Sequence, residues 1–252
     1  MNEIRNIKLI LSYDGSAYHG WQIQKNADTV QQRLADACER ILGERVTVHG
    51  CSRTDSGVHA NEFHCNFRTE SKTDNFKIKK GLNAVLPDDI AVISCEDVLK
   101  DFHSRFDAKG KEYVYMVWNA EHKNPFWTNR ALHYPYRLDC ELLDEQCKDY
   151  IGTFDFSAFC SSGSSVTDTV RTITDFKVRR DGNLVVFSVR GNGFLYNMVR
   201  IMVGTLLEIN SGKLPKGSIK DIILSKDRNN AGITAKAQGL YLNKVFYDDI
   251  QK

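Results

Sequence analysis

Ser52-Arg53-Thr54-Asp55-Ser56-Gly57-Val58-His59-Ala60 puts one carboxylate, one guanidinium and a glycine in a single short run. The run follows Val46-Thr47-Val48-His49-Gly50, which reads as a strand, so the charged groups fall on a loop leaving a sheet. An arginine two positions before an aspartate can hold it ionised at neutral pH. An ionised carboxylate in a cleft is a nucleophile toward carbon. The same residues also suit a solvated turn, with Asp55 paired to Arg53 or capping backbone amides.

Three further sets of residues can do chemistry. Tyr113 and Tyr115 alternate along Lys111-Glu112-Tyr113-Val114-Tyr115 and therefore share a strand face. They serve either as packed core rings or as a platform for a nucleobase, with a phenol able to relay a proton. Arg200 interrupts the apolar run Phe194 to Gly204. A buried arginine there needs a counter-charge, for which Asp55 is a candidate, whereas an arginine at a helix edge only snorkels. Ala231 to Leu242, feeding the last strand, and Gly15 to Gln22 read as loops of small, polar and aromatic residues that allow a backbone or ligand to approach closely, or as plain turns and hairpin tips. Walker, G-x-G-x-x-G, G-x-S-x-G and paired-cysteine motifs are missing, so the proposed site calls for no cofactor. His59 and His64, five apart on an expected strand, fall on opposite faces, and no metal site is expected.

The bulk numbers are those of a globular protein. The chain has 252 residues, 42% of them hydrophobic and 26% charged, which suits one large domain or two modest ones. Its net charge is only +2. Up to residue 105 there are 14 Lys+Arg against 15 Asp+Glu, and beyond it 20 against 17. A nucleic-acid groove must therefore come from the placement of charge, not its total. Seven cysteines, an odd number without a C-x-x-C pair, fit reduced thiols. Met1 to Asn6 has no apolar targeting core and no stretch is long enough to span a bilayer, so a cytoplasmic protein without membrane contact is expected.

Periodicity supplies the elements that must carry these residues. Ile7–Tyr13, Val46–Ser52, Glu62–Arg68 and Ala91–Val98 read as strands. Thr29 with Gln32 makes a capping box for a helix that stops at Gly43, and a second helix runs from Asn75 to Leu86. This β-α-β-β-α-β order is that of the ferredoxin-like unit. The second part repeats it. A strand Lys111–Asn119 and a helix from Asp139 to Ile151 are followed by a hairpin of Thr169–Arg180 and Asn183–Arg190, turning at Asp181-Gly182. A helix Phe194–Asn210, a short helix Ser218–Leu224 and a closing strand Leu240–Tyr247 complete it. The class is α+β. Two ferredoxin-like, RRM-like halves with antiparallel sheets, residues 1–105 and 106–252, are expected to join around a central cleft.

Taken in order, these segments resemble the tRNA pseudouridine synthase A family. The matching pieces are Tyr13-Asp14-Gly15, Tyr18-His19-Gly20-Trp21-Gln22, Arg53 to Ala60, Lys111 to Tyr115, Asn197-Met198-Val199-Arg200, Ala231 to Ala235 and Gly239-Leu240-Tyr241-Leu242. Ser52, where many members carry glycine, and the acidic Glu62 depart from the pattern. The resemblance implies the pseudouridine synthase fold. It also implies isomerisation of uridine to pseudouridine on the 3′ side of the tRNA anticodon stem-loop, without cofactor or metal. Asp55 is then the nucleophile, toward the base or the sugar carbon. Tyr113 stacks on the flipped uracil and helps remove the last proton. Arg200 pairs with Asp55, Leu240 walls the base, and Arg53 fills the gap left by the flipped nucleotide. A homodimer holding one tRNA across both subunits is implied as well. A non-catalytic RNA-binding module of two stacking sheets is the alternative, and a small-molecule enzyme on the same fold is a weaker one.

Overall fold

A computed structural model describes residues 4–163 and 166–248; residues 1–3 of the expected leaderless start lie outside them. It is mixed α and β, in two compact units. Unit 1 comprises residues 1–109 and 241–252, and unit 2 comprises residues 110–240.

In unit 1, β1 (Arg5–Tyr13) is paired antiparallel on one side with β3 (His59–Thr69) and on the other with β4 (Ile90–Val98). The short β2 (His49–Gly50) lies antiparallel to β3. Ile7, Leu9 and Leu11 alternate inward on β1 and face Phe67, Cys65 and Phe63 across the ladder, all fully buried. Above the strands sit α1 (Val30–Leu42) and α2 (Asn75–Val85). Thr29 caps α1 by accepting Gln32 N–H, and Gly43, at φ +76°, ends it in the left-handed conformation. The expected capping box is only half made, because the Gln32 side chain donates to Asp36 instead.

Three sequence expectations shift in this unit. The strand expected over Val46–Ser52 shrinks to His49–Gly50. Gln31 Nε2 donates to the Val48 carbonyl at 2.8 Å, so that group is bound to α1 and not to a sheet. The third strand begins earlier than Glu62, at His59. The closing strand, expected in the second half, returns to unit 1. Residues of β10 (Leu240–Phe246) pair parallel with β3, Tyr241 beside His59 and Leu242 beside Ala60.

Unit 2 is built on β5 (Gly110–Trp118), β8 (Val170–Asp181), β9 (Leu184–Gly191) and the short β7 (Gly152–Asp155). They are antiparallel in the order β5-β9-β8-β7, with β6 (Leu132–His133) parallel to β5. The β8–β9 hairpin turns on Gly182-Asn183, one residue later than expected, and Gly182 takes φ +54°. The helices are α3 (Cys140–Cys147), α4 (Met198–Asn210) and α5 (Ile219–Ser225). The helix expected from Phe194 starts four residues later. Asn197 sits at φ +61°, which breaks the α-helical path before Met198.

His64, on β3, is 5% exposed, and neither ring nitrogen finds a hydrogen-bond partner among the described residues. Burial, with Lys8 adding to it, pushes its imidazole down to about 4. Its folded pKa is thus below the unfolded value near 6.5, so its contribution to stability is full above pH ~6.5 and declines as pH falls toward 4. Unfolding by urea between pH 7 and 4 should show stability falling with acid by up to about 3 kcal/mol. His64→Phe, which keeps a ring against Tyr247, should flatten that limb. An unchanged acid limb in the variant would assign the loss to other groups.

Candidate active site

Asp55 opens a tight turn. Val58 N–H returns to the Asp55 carbonyl at 3.1 Å, and Gly57 takes φ +77° in the third position, as a type II turn demands. The turn is held from beneath by the loop that follows β1. Gly57 N–H and Ser56 Oγ both donate to the Tyr18 carbonyl, and Trp21 N–H donates to the Thr54 carbonyl at 3.1 Å. Thr54 is buried and its hydroxyl shares a 2.9 Å hydrogen bond with Tyr13 Oη. A Cβ at Gly20 would lie 2.4 Å from the Thr54 oxygen, and one at Gly15 would lie 2.0 Å from the Val58 oxygen. Those two glycines let one backbone rest on the other. The supporting loop is itself tied to the start of β4: Asp14 N–H donates to the Asp89 carbonyl, and the Tyr18 hydroxyl donates to the Asp89 carboxylate at 2.5 Å. Burial and that carboxylate raise the Tyr18 phenol well above its ordinary range, so it stays a donor.

Asp55 is half-buried and Arg53 is exposed. Among the described residues Arg53 forms no ion pair, so the two-residue spacing does not itself couple them. His59 is buried, stacked at 4.5 Å on Tyr241, and its Nδ1 accepts Gly15 N–H at 3.1 Å. Asp14 Oδ1 also lies 3.1 Å from that nitrogen. Since the Gly15 N–H can only donate, we assign Nδ1 the acceptor role. His59 therefore braces the loop through Gly15.

Unit 2 places the other three residues. Tyr113, on β5 opposite Val189, is 7% exposed, and its ring meets Phe194 edge-on at 5.1 Å. Tyr115, on the same face, is fully buried and donates its hydroxyl to the Lys236 carbonyl at 2.7 Å. Burial raises its phenol, which makes Tyr115 a fixed strut. Leu240 is 6% exposed and opens β10 just after a 3₁₀ turn over Ala237–Gly239.

Arg200 lies in the first turn of α4 and is held at two nitrogens. Nε donates to the Ala235 carbonyl at 2.7 Å, and Nη1 donates to Asn197 Oδ1 at 2.6 Å. Ala235 N–H answers by donating to the Arg200 carbonyl. Asn197 is the residue that sequence reasoning missed. Its left-handed backbone turns its amide toward the arginine three positions on, and its Nδ2 reaches Ser161 Oγ at 3.0 Å. An asparagine directly before a helical run was the available signal, since Asn tolerates that conformation. The small residues of Ala231 to Ala235 have a local reason. A Cβ on Gly204 would lie 1.8 Å from the Ile233 oxygen, and one on Gly232 would lie 2.6 Å from Thr205 Cα. The loop lies flat on α4 because both surfaces lack side chains there.

Among the described residues, no group of three or more His, Cys, Asp or Glu could hold a metal ion, and no helix is long and apolar enough to cross a membrane.

The sequence model of the tRNA pseudouridine synthase family matches residues 9–107 and 147–248. The tRNA pseudouridine synthase A of Acetivibrio thermocellus is 47% identical over 97% of this chain and 100% of its own length. That of Clostridium acetobutylicum is 48% identical over the same shares. The chain belongs to the tRNA pseudouridine synthase family, whose members are isomerases of RNA modification. Within it, the full-length relatives carry the name tRNA pseudouridine synthase A. Residues 108–146, with Tyr113, fall between the two stretches matched by the family model, yet the relatives align across nearly the whole chain.

In a helix interior, Gly→Ala usually stabilises by about 1 kcal/mol. At Gly204 the sign should reverse, because the new methyl meets a backbone oxygen; a cost of about 1–3 kcal/mol is expected. Thermal unfolding of Gly204→Ala checks it, and a raised Tm would refute the contact.

Proposed function

We propose that this chain isomerises uridine to pseudouridine in the anticodon stem-loop of tRNA, with Asp55 as nucleophile and no cofactor. The observation that supports this best is Asp55 itself, half-buried on a turn that five backbone and side-chain hydrogen bonds and two glycines hold still. A carboxylate on a mobile loop would lose the alignment that attack on carbon requires.

The reaction conserves atoms. Asp55 attacks, the N-glycosidic bond breaks, the base turns, a carbon–carbon bond to the sugar forms, that carbon gives up its proton while the freed ring nitrogen takes one up, and the carboxylate is released unchanged. In this reading Tyr113 stacks on the everted uracil and its phenol takes part in the last proton transfer. Arg200 provides the counter-charge for Asp55. Leu240 is the apolar wall, and Arg53, already exposed, stacks where the nucleotide has left. Extruding a base costs a few kcal/mol, least in or beside a loop, which suits an anticodon stem-loop. The reading also places the protein with its tRNA in the cytoplasm, as a homodimer.

Asp55→Ala should abolish pseudouridine formation while tRNA affinity stays within a few fold. Mass spectrometry of tRNA from cells lacking the protein, complemented with wild type or variant, reads the product directly. A variant that still restores pseudouridine would remove the mechanism, and wild type that restores none would return the chain to the RNA-binding alternative. Tyr113→Phe keeps the ring, so kcat should fall more than tenfold with KM little moved; unchanged kcat would leave the tyrosine only its stacking.

A further inference from the structure

Unit 1 carries a second cluster suited to RNA, which the reaction does not use. The rings of His49 and His103 lie 5.0 Å apart, and those of His103 and Phe106 lie 4.3 Å apart. The Arg105 guanidinium is 5.8 Å from the Phe106 ring centre. Phe106 is 74% exposed, and His49, Arg105 and Arg68 are exposed too. Neither Arg68 nor Arg105 has an ion pair among the described residues.

The cluster is exposed and yet fixed. Asn6 and Asn66, both nearly fully buried, clamp the turn that carries it. Asn6 Nδ2 donates to the carbonyls of Leu99 and Phe102, and Asn66 Oδ1 accepts Ser104 N–H. Asp107, the acid next to Phe106, accepts His103 N–H at 2.8 Å. Arg105 N–H donates to His103 Nδ1. Two buried asparagines thus hold in place a phenylalanine that gains almost nothing from its own packing. Arg68 Nη2 donates to the Lys100 carbonyl at 3.0 Å, which steadies the group without neutralising it. Exposing a large ring on a rigid turn beside guanidinium groups that have no acidic partner among the described residues fits a partner with flat faces and negative charge.

We propose that the His49–His103–Phe106 ladder with Arg105 and Arg68 is a second RNA contact, taking an unstacked base of the tRNA outside the reacting stem-loop and its flanking phosphates. This rests on the functional reading above. His49 pairs with Asn66, seven residues along β3 from His59. At ~3.3 Å per residue that is about 23 Å from the strand end fed by the Asp55 turn, too far for the same nucleotide.

Binding of an unmodified full-length tRNA transcript and of an isolated anticodon stem-loop is compared for wild type, Phe106→Ala, Phe106→Trp and Arg105→Ala. Phe106→Ala should weaken the full tRNA roughly 5- to 100-fold and leave the stem-loop unaltered. Phe106→Trp should stay within about threefold. Arg105→Ala should lower the slope of log K against log salt by about one. Phe76→Ala, which removes a phenylalanine 72% exposed on α2, is the control and should change nothing. Unaltered tRNA affinity in Phe106→Ala, equal loss for tRNA and stem-loop, or a change only in oligomeric mass would each overturn the proposal. Pseudouridine formation by the wild type is read in parallel. Its absence sinks the functional reading, whereas normal formation with unaltered Phe106→Ala affinity sinks only this surface.

Discussion

Backbone resting on backbone, with no side chain between, is the constraint on which both units depend. In unit 1 it occurs where Gly15 and Gly20 meet Val58 and Thr54, and in unit 2 where Gly204 and Gly232 meet Ile233 and Thr205. Each contact excludes even a methyl group. Interiors are close-packed, so a displacement at such a point is passed on and not absorbed. Two of these contacts lie close to the site residues: Thr54 precedes Asp55, and Ile233 lies two before Ala235, whose carbonyl holds Arg200. The glycines fix the position of charge by removing the freedom of the loop that bears it.

Hydrogen bonding then sets orientation. Trp21 and Tyr18 hold the Asp55 turn through its backbone. The backbone of the turn is therefore fixed by bonds that do not depend on the charge state of Asp55. Arg200 is held differently, through its own side chain by Asn197 and Ala235. A guanidinium presents its donors in a rigid fork, so fixing Nε and Nη1 also fixes the direction of the whole plane. Lysine in that place would keep the charge and lose the orientation.

Much of this was legible in the residues, and the misses share one cause. Helix α1 was marked at both ends, by Thr29 and by Gly43, because caps act through neighbours in sequence. Asp55 was legible as a turn carboxylate two residues before a glycine. The shortened β2, the late start of α4 and the return of β10 to unit 1 were not. Each is decided by a distant partner: Gln31 on the Val48 carbonyl, the left-handed Asn197 bound to Ser161, and β3 beside Tyr241. The roles of Tyr113 and Tyr115 could not be divided from an alternating pattern, because a strand face does not say which ring ends against a carbonyl. Lys236 supplies that for Tyr115.

Net charge is the remaining puzzle for a chain that handles a polyanion, since +2 over 252 residues gives little long-range attraction. The acids near the functional loops resolve part of it. Asp14 accepts from Ser16, Asp89 from Tyr18, and Asp107 from His103 N–H. These carboxylates brace turns, while Arg53, Arg68 and Arg105 remain exposed. Exposed guanidinium groups of this kind hold an anion at short range and by direction. With so little net charge, recognition of a polyanion has to rest on shape and placed contacts before long-range attraction.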